Sequence, residues 1–265
     1  MTLFYTPEEA KTFEASLREV HFHSKFGWIN SHNGFRRGNM HLLIAGTGAG
    51  KSTLTRAIVS DIVLNKENNC TIAVWLSEET VDEYKALFSL SKTSNEKLLC
   101  TEANSELEIT ELSELFFFEW LDFVRPDILI YDNITTSGFY VDKTPSEQAK
   151  FATKLKKKLK ELKCAGIIIA HGDSRQTDQK GGLLDINHIR GSKTICNLAE
   201  FAYAFQTFSS ENSKCTSLRI VKSRSQGVIH STYLLKFDQT TRSYISDVAI
   251  PFSEFKEAYD ARNKL

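Results

Sequence analysis

The stretch MHLLIAGTGAGKST, residues 40–53, constrains this chain more than any other. A short apolar run ends in a glycine-rich turn, and helix-forming residues follow at once. Strand, loop and helix are therefore expected in immediate succession, with the helix over Ser52–Asn65. Gly46, Gly48 and Gly50 let the backbone turn its N–H groups inward around an anion. A helix beginning near Lys51 adds the positive end of its dipole. The pattern matches a phosphate-binding loop at every position but the first, where Ala45 stands in place of glycine. Gly46, Thr47, Gly48, Ala49, Gly50, Lys51, Ser52 and Thr53 are thus expected to cradle a nucleoside triphosphate, ATP or another NTP. Lys51 would reach the β- and γ-phosphates, and the Ser52 hydroxyl would bind Mg²⁺. The bland alternative is a glycine-rich turn with a chance GKS, and the strand and helix flanks argue against it.

The rest of the chain repeats the alternation. TIAVWL, DILIYD and GIIIAH are further apolar runs. A helix is expected from about Thr80 after the first, and a lysine-rich helix Pro145–Lys163 before the last. FAYAFQTF, SLRIVKS and STYLLKFD complete the series. Apolar runs separated by helices predict an α/β fold, a mostly parallel sheet with helices on both faces. The last two runs, joined by a turn near Gly227, read as an antiparallel hairpin at the sheet edge. Residues 34–265 are expected to form one domain, preceded by an N-terminal helix and linker over 1–33. In that first segment Thr6, Pro7 and Glu9 form a capping-box pattern, and Ala10, Phe13, Leu17 and Val20 recur at helical spacing. Such a helix packs either on its own domain or on a neighbouring subunit.

Polar residues stand at the ends of the buried runs. Asp132 closes DILIYD, where a carboxylate beside the phosphate loop would partner Mg²⁺; the alternative is a simple strand cap. Asn133 follows, so the base that activates water must come from elsewhere. Glu78, at the end of the run beside the phosphate-loop strand, is the candidate, whereas Glu79 reads as a solvated acid opening a helix. His171 ends GIIIAH, where it can sense the γ-phosphate or simply be a satisfied strand-end histidine. A long polar loop with Arg175 and Lys180 follows it. Lys222 and Arg224 share one face of the IVKSRSQG strand: a solvated edge, or an arginine finger aimed at a neighbour's γ-phosphate. The lysines of the Pro145–Lys163 helix read as a solvated face rather than a nucleic-acid patch.

Composition narrows the setting. Lys and Arg number 33, as do Asp and Glu, so nucleic acid would have to be held at a local basic surface. No apolar run approaches the roughly 20 residues that span a bilayer, so no membrane association is expected. The first residues lack the pattern of a secretory leader. Five scattered cysteines without a C-x-x-C pair suit reduced thiols in the cytoplasm.

Taken together, NGFRRGNMHLLIAGTGAGKST, WLSEETVDE, DILIYDNITT, IIIAH and INHIRGSKTICNLAEFAYAF, then LRIVKSRSQG, resemble the RecA-fold motor domain of ring-shaped replicative DNA helicases. That is the DnaB/Twinkle class, with the helicase half of short-tailed phage primase–helicases most similar. The resemblance runs from about Gly34 to Tyr244. It implies a RecA-like ATPase and helicase working as a hexameric ring. Single-stranded DNA would lie in its channel with 5′-to-3′ movement, and a primase, polymerase or loader would be a partner. It assigns catalysis to Glu78, Lys51, His171 and Arg224, places Lys222 beside the nucleotide as the finger's partner, and gives Arg175, Lys180 and Arg190 to nucleic acid. Gly191 and Ser192 complete the RGS motif. The hairpin after Arg224 departs from the family in lacking a second glycine, with His230 near that place. The competing expectations are a RecA-fold ATPase switch or scaffold that binds a partner without unwinding, and a strand-exchange or loader protein.

Overall fold

The computed structural model describes residues 21–65, 68–89, 98–102, 111–173, 182–210, 213–224 and 231–262. The expected helix within 1–20, Arg175, Lys180, Gly227 and His230 lie outside them.

Strand β1 (His21–Phe22) pairs antiparallel with β2 (Phe35–Arg36), and helix α1 (Gly27–Asn30) lies between them in sequence. Then come β3 (Met40–Ala45), α2 (Lys51–Leu64), β4 (Ile72–Leu76), α3 (Val81–Ser89), β5 (Leu98–Glu102), α4 (Glu111–Val124) and β6 (Ile128–Asp132). Helix α5 (Pro145–Glu161), β7 (Ala165–His171), α6 (Thr194–Leu198) and β8 (Phe201–Ser210) follow. The chain closes with β9 (Ser213–Ser223), β10 (Ser231–Asp238), β11 (Ser243–Pro251) and α7 (Phe252–Arg262).

Nine strands form one sheet in the order β11-β10-β9-β8-β3-β7-β6-β4-β5. The pairs from β8 across to β5 are parallel, and those from β8 out to β11 are antiparallel. The continuous apolar runs are explained by burial on both faces. Leu43, Val74, Ile130 and Ile169 point into one core with α2. Leu42, Ala73, Leu129 and Ile168 point into the other, under α4 and α5. This is the period-two alternation of a strand, and here both sides are wet by nothing but apolar neighbours. Helix α5 starts where the sequence says it must: Thr144 and Glu147 form a capping box around Pro145.

The structure differs from the sequence reading in three places. Strand β4 is not the spatial neighbour of β3, because β7 and β6 lie between them. The hairpin at the sheet edge is β10–β11; β9 and β10 do pair antiparallel, one strand further in. Strand β11 was invisible to periodicity because its residues are mostly half-exposed, as an edge permits. Residues 21–33 pack with the sheet: Phe22, Phe26, Trp28 and Ile29 are buried in the same core as α2. The boundary expected at residue 34 therefore passes between two paired strands. Among the described residues no helix is long and apolar enough to cross a membrane.

Candidate functional site

The parallel strands end on one side of the sheet, and their C-terminal ends carry the site. In register, Ala45 of β3 lies beside His171 of β7, and Leu76 of β4 beside Asp132 of β6. A crevice at the carboxyl ends of parallel strands is where open α/β sheets bind ligands.

The loop after β3 is shaped for phosphate. Gly48 and Gly50 have φ of 72° and 92°, which suits glycine, and a Cβ on Gly48 would meet nothing within 4 Å among the described residues. Gly50 is the N-cap of α2 and offers no side-chain cap, which leaves the first amides of α2 free for an anion. Ala45 is tolerated because it is the last buried residue of β3, extended and paired on both sides, where no left-handed backbone is needed.

Lys51 is only 6% exposed and folds back over the loop. Its Nζ donates to the Gly46 carbonyl at 3.3 Å and lies 3.2 Å from His171 Nδ1. On the other edge of the imidazole, Nε2 lies 3.0 Å from Glu78 Oε1 and 3.1 Å from Asn133 Nδ2. One neutral tautomer satisfies the Lys51 and Glu78 contacts: Nδ1 accepts from Lys51, and Nε2–H donates to Glu78, which leaves the Asn133 amide, itself a donor, to the carboxylate and not to Nε2. Asn133 also bonds the Glu78 carboxylate. Its amide is oriented for this, since Oδ1 accepts from Thr135 Oγ1, Thr136 N and Thr136 Oγ1 at 2.8–3.0 Å. His171 is itself anchored by its backbone N–H to Thr135 Oγ1 at 3.0 Å. The hydrogen bond from His171 holds Glu78 below the usual carboxylate range, against the desolvation that opposes it. Burial lowers Lys51, while the charges of Asp132 and Glu78 resist that shift.

Asp132 is 4% exposed, and its Oδ2 has no hydrogen-bond partner among the described residues. Burial first, then the nearby Glu79 charge, pushes the carboxyl up to about 7. The Ser52 hydroxyl also bonds this carboxyl. An orphaned buried carboxylate oxygen beside a loop serine is a donor set fitted to a divalent cation, directly or through water. Among the described residues no three His, Cys, Asp or Glu side chains converge as a self-sufficient metal site, so Mg²⁺ here would rely on phosphate oxygens as well.

A groove of about 590 Å³ runs from the loop along α2, lined by Thr53, Arg56, Asp61, Phe237, Arg242 and Ile245 among others. Tyr244, between the lining residues Ser243 and Ile245, brings its hydroxyl to 3.3 Å from where a Gly50 Cβ would be. The sequence reading missed Asn133, Phe237 and Tyr244. Asn133 was noted only for not being Glu, and the other two belong to a hairpin whose return to α2 no local pattern announces.

Arg190 also comes to this side. Its backbone N–H donates to the His171 carbonyl at 3.0 Å, and its charge bears on Lys51. The turn it opens is clamped from behind. Gly191 has φ of 90°, and a Cβ there would lie 2.6 Å from Tyr140. Ser192 N–H donates to Gln148 Oε1 at 2.7 Å.

Lys222 and Arg224 are elsewhere. Ser223 pairs with Phe201 at the N-terminal end of β8, opposite the end where Phe205 pairs with Ala45. Both side chains donate to carbonyls at the C-terminus of α6: Lys222 Nζ to Asn197 at 3.1 Å and to Cys196, and Arg224 Nη2 to Asn197. Neither can touch a nucleotide in the loop of its own chain. The α5 lysines are largely spoken for: Lys154 with Glu114 at 2.8 Å, Lys158 with Asp122 at 2.9 Å, Lys157 with Glu161 at 3.7 Å, and buried Lys156 with Glu200.

Sheet order, phosphate-shaped loop and strand-end acids together define a RecA-like phosphate-loop fold. Among solved structures the chain is similar to a KaiC-like protein, PH0186, from Pyrococcus horikoshii OT3, with a TM-score of 0.64 and 15% identity over 89% of this chain and 100% of that one. No family model matches the chain, and no curated protein matches it in sequence.

Proposed function

We propose that this chain is a Mg²⁺-dependent nucleoside-triphosphate hydrolase. Supporting this above all is the contact chain Lys51–His171–Glu78, which joins the loop lysine to a carboxylate held in its basic form. In the reading, the loop amides and Lys51 take the β- and γ-phosphates, and Ser52 and Asp132 hold Mg²⁺. Glu78 orients and deprotonates the attacking water. Lys51 must leave His171 Nδ1 to reach a phosphate, so His171 would register whether a γ-phosphate is present and pass this to Glu78. The base and ribose would lie at the head of the groove, against Phe237. ATP is the expected nucleotide.

The finer proposal is a ring-forming single-stranded-DNA translocase and helicase, supported by the order of motifs through Arg224. The position of Arg224 also supports it, since a finger that cannot serve its own site must serve another copy's. The second reading is an ATP-driven switch or scaffold that binds a protein partner. The ion pairs of Lys154, Lys156 and Lys158 favour it, because they leave less uncompensated positive charge on the most basic helix. ATP hydrolysis measured with and without poly(dT), together with unwinding of a forked duplex, decides between them. Stimulation and unwinding support the helicase. Hydrolysis indifferent to DNA supports the switch, and no hydrolysis at all sinks both.

A further inference from the structure

Sequence position marks Glu79 as a solvated acid and says nothing of Arg56, yet the structure joins them. Arg56, on the second turn of α2, meets Glu79 with Nη1–Oε2 at 2.8 Å, and the two side chains are only 16% and 29% exposed. The guanidinium also lies over the ring of Tyr84, 5.8 Å from its centroid, and Tyr84 is fully buried in the first turns of α3. Glu79 is therefore not the solvated acid its position suggests.

The turn between β4 and α3 is fixed at both ends as well. Ser77 N–H donates to the Asp132 carbonyl at 2.7 Å. At the other end Thr80 and Glu83 cap α3 reciprocally, Thr80 N–H to Glu83 Oε2 at 3.0 Å and Glu83 N–H to Thr80 Oγ1 at 3.2 Å. Glu78 stands between these anchors, and the ion pair is the only one of them that reaches α2.

We propose that the Arg56–Glu79 pair is a positioning device, which ties the turn carrying Glu78 to the helix that begins at the phosphate loop. A nucleotide engages the first turn of α2; the pair, one turn on, keeps that turn and the Glu78 backbone in fixed relation. Neither residue touches the reacting atoms. The inference rests on the hydrolase reading above.

The test is a double-mutant cycle of Arg56→Gln, Glu79→Gln and the double variant, with Arg56→Lys as the charge-retaining control. Steady-state ATP hydrolysis, ATP affinity, Mg²⁺ half-saturation and thermal midpoint are measured for each. Each Gln variant should lose roughly 10²-fold in kcat, the scale expected of a misplaced catalytic group, and Glu79→Gln, whose side chain does not line the groove, should do so with ATP affinity unchanged. The double variant should be no worse than either single one, because the residues act only through each other. Arg56→Lys should recover part of kcat. Unchanged kcat, multiplicative losses, or a lower thermal midpoint with kcat per folded molecule intact would overturn the proposal. If wild type does not hydrolyse ATP, or Glu78→Gln is fully active, the hydrolase reading itself fails.

Discussion

At the scale of single residues, the site separates binding from chemistry. Lys51→Ala removes the charge on the transferring phosphoryl group, so turnover should vanish in a protein that still folds; near-wild-type hydrolysis would refute the loop assignment. Glu78→Gln should keep nucleotide affinity and lose hydrolysis, as seen by comparing ATP binding with phosphate release. Asp132 makes a sharper case. Its buried carboxyl is pushed up to about 7, with one oxygen unpartnered. Between its ordinary value of 3.8 and about 7 the unfolded chain gives up this proton while the folded protein keeps it, so stability falls across that window and stays at the lower level above it. Asp132→Asn should stabilise the nucleotide-free protein at pH 8 by on the order of 1 kcal/mol or more, read as a higher thermal midpoint, and abolish Mg²⁺-dependent hydrolysis. A lower midpoint in that variant would mean that Asp132 holds the fold together rather than storing strain for the metal. Asp132, Glu78 and His171 were legible in the sequence because each ends a continuous apolar run. Asn133, Arg56 and Glu79 were not, because what matters about them is which residue of another element they touch.

At the scale of elements, the parallel strands β3, β4, β6, β7 and β8 could be read directly, whereas β5, α4 and β11 could not. Strand β11 faces solvent along much of its length, and α4 is apolar around most of its circumference, so neither shows a clean period. Sheet order was equally hidden: the parallel strands can be arranged in many ways with the same sequence pattern. The join between the first described elements and the sheet is polar and buried. His41 of β3 lies 2.9 Å from the Tyr203 hydroxyl of β8, which in turn lies 2.6 Å from His32 Nε2. Both histidines are fully buried; burial lowers His32 to about 4 and His41 well below its usual value. A histidine that stays neutral when folded but takes a proton when unfolded loses stability as pH falls through the gap between the two values. For His32 that gap runs from 6.5 down to about 4. Between pH 6.5 and 5 it should cost the fold about 2 kcal/mol. Denaturation midpoints at pH 7 and 5 should therefore differ, and His32→Gln should flatten the difference. An unchanged slope would assign the acid sensitivity to other groups.

At the scale of the whole molecule, the loop and Arg224 lie at opposite ends of the sheet, so the resemblance to ring motors makes a strict demand. Arg224→Ala should cost roughly 10³–10⁵ in hydrolysis rate while nucleotide affinity changes far less. Mixing Arg224→Ala with Lys51→Ala, each inactive alone, should restore some activity. At one kind of mixed interface an intact arginine faces an intact loop. If the mixture stays dead although subunits exchange, and Arg224→Ala alone hydrolyses normally, Arg224 is a clamp on α6 and nothing more.

Asp247 of β11 receives the N–H groups of Gly27 and Trp28 at 2.7 and 2.9 Å, across 220 and 219 positions of chain. On a ribosome adding about 5–20 residues per second, Trp28 waits roughly ten to forty seconds for the carboxylate that caps its helix. The whole sheet stands between the two in sequence. The indole of Trp28, packed 4.7 Å from the ring of Tyr203, is thus a late arrival in the core although it is made early. Its fluorescence during refolding should report the final closure of the domain, after the parallel strands have paired.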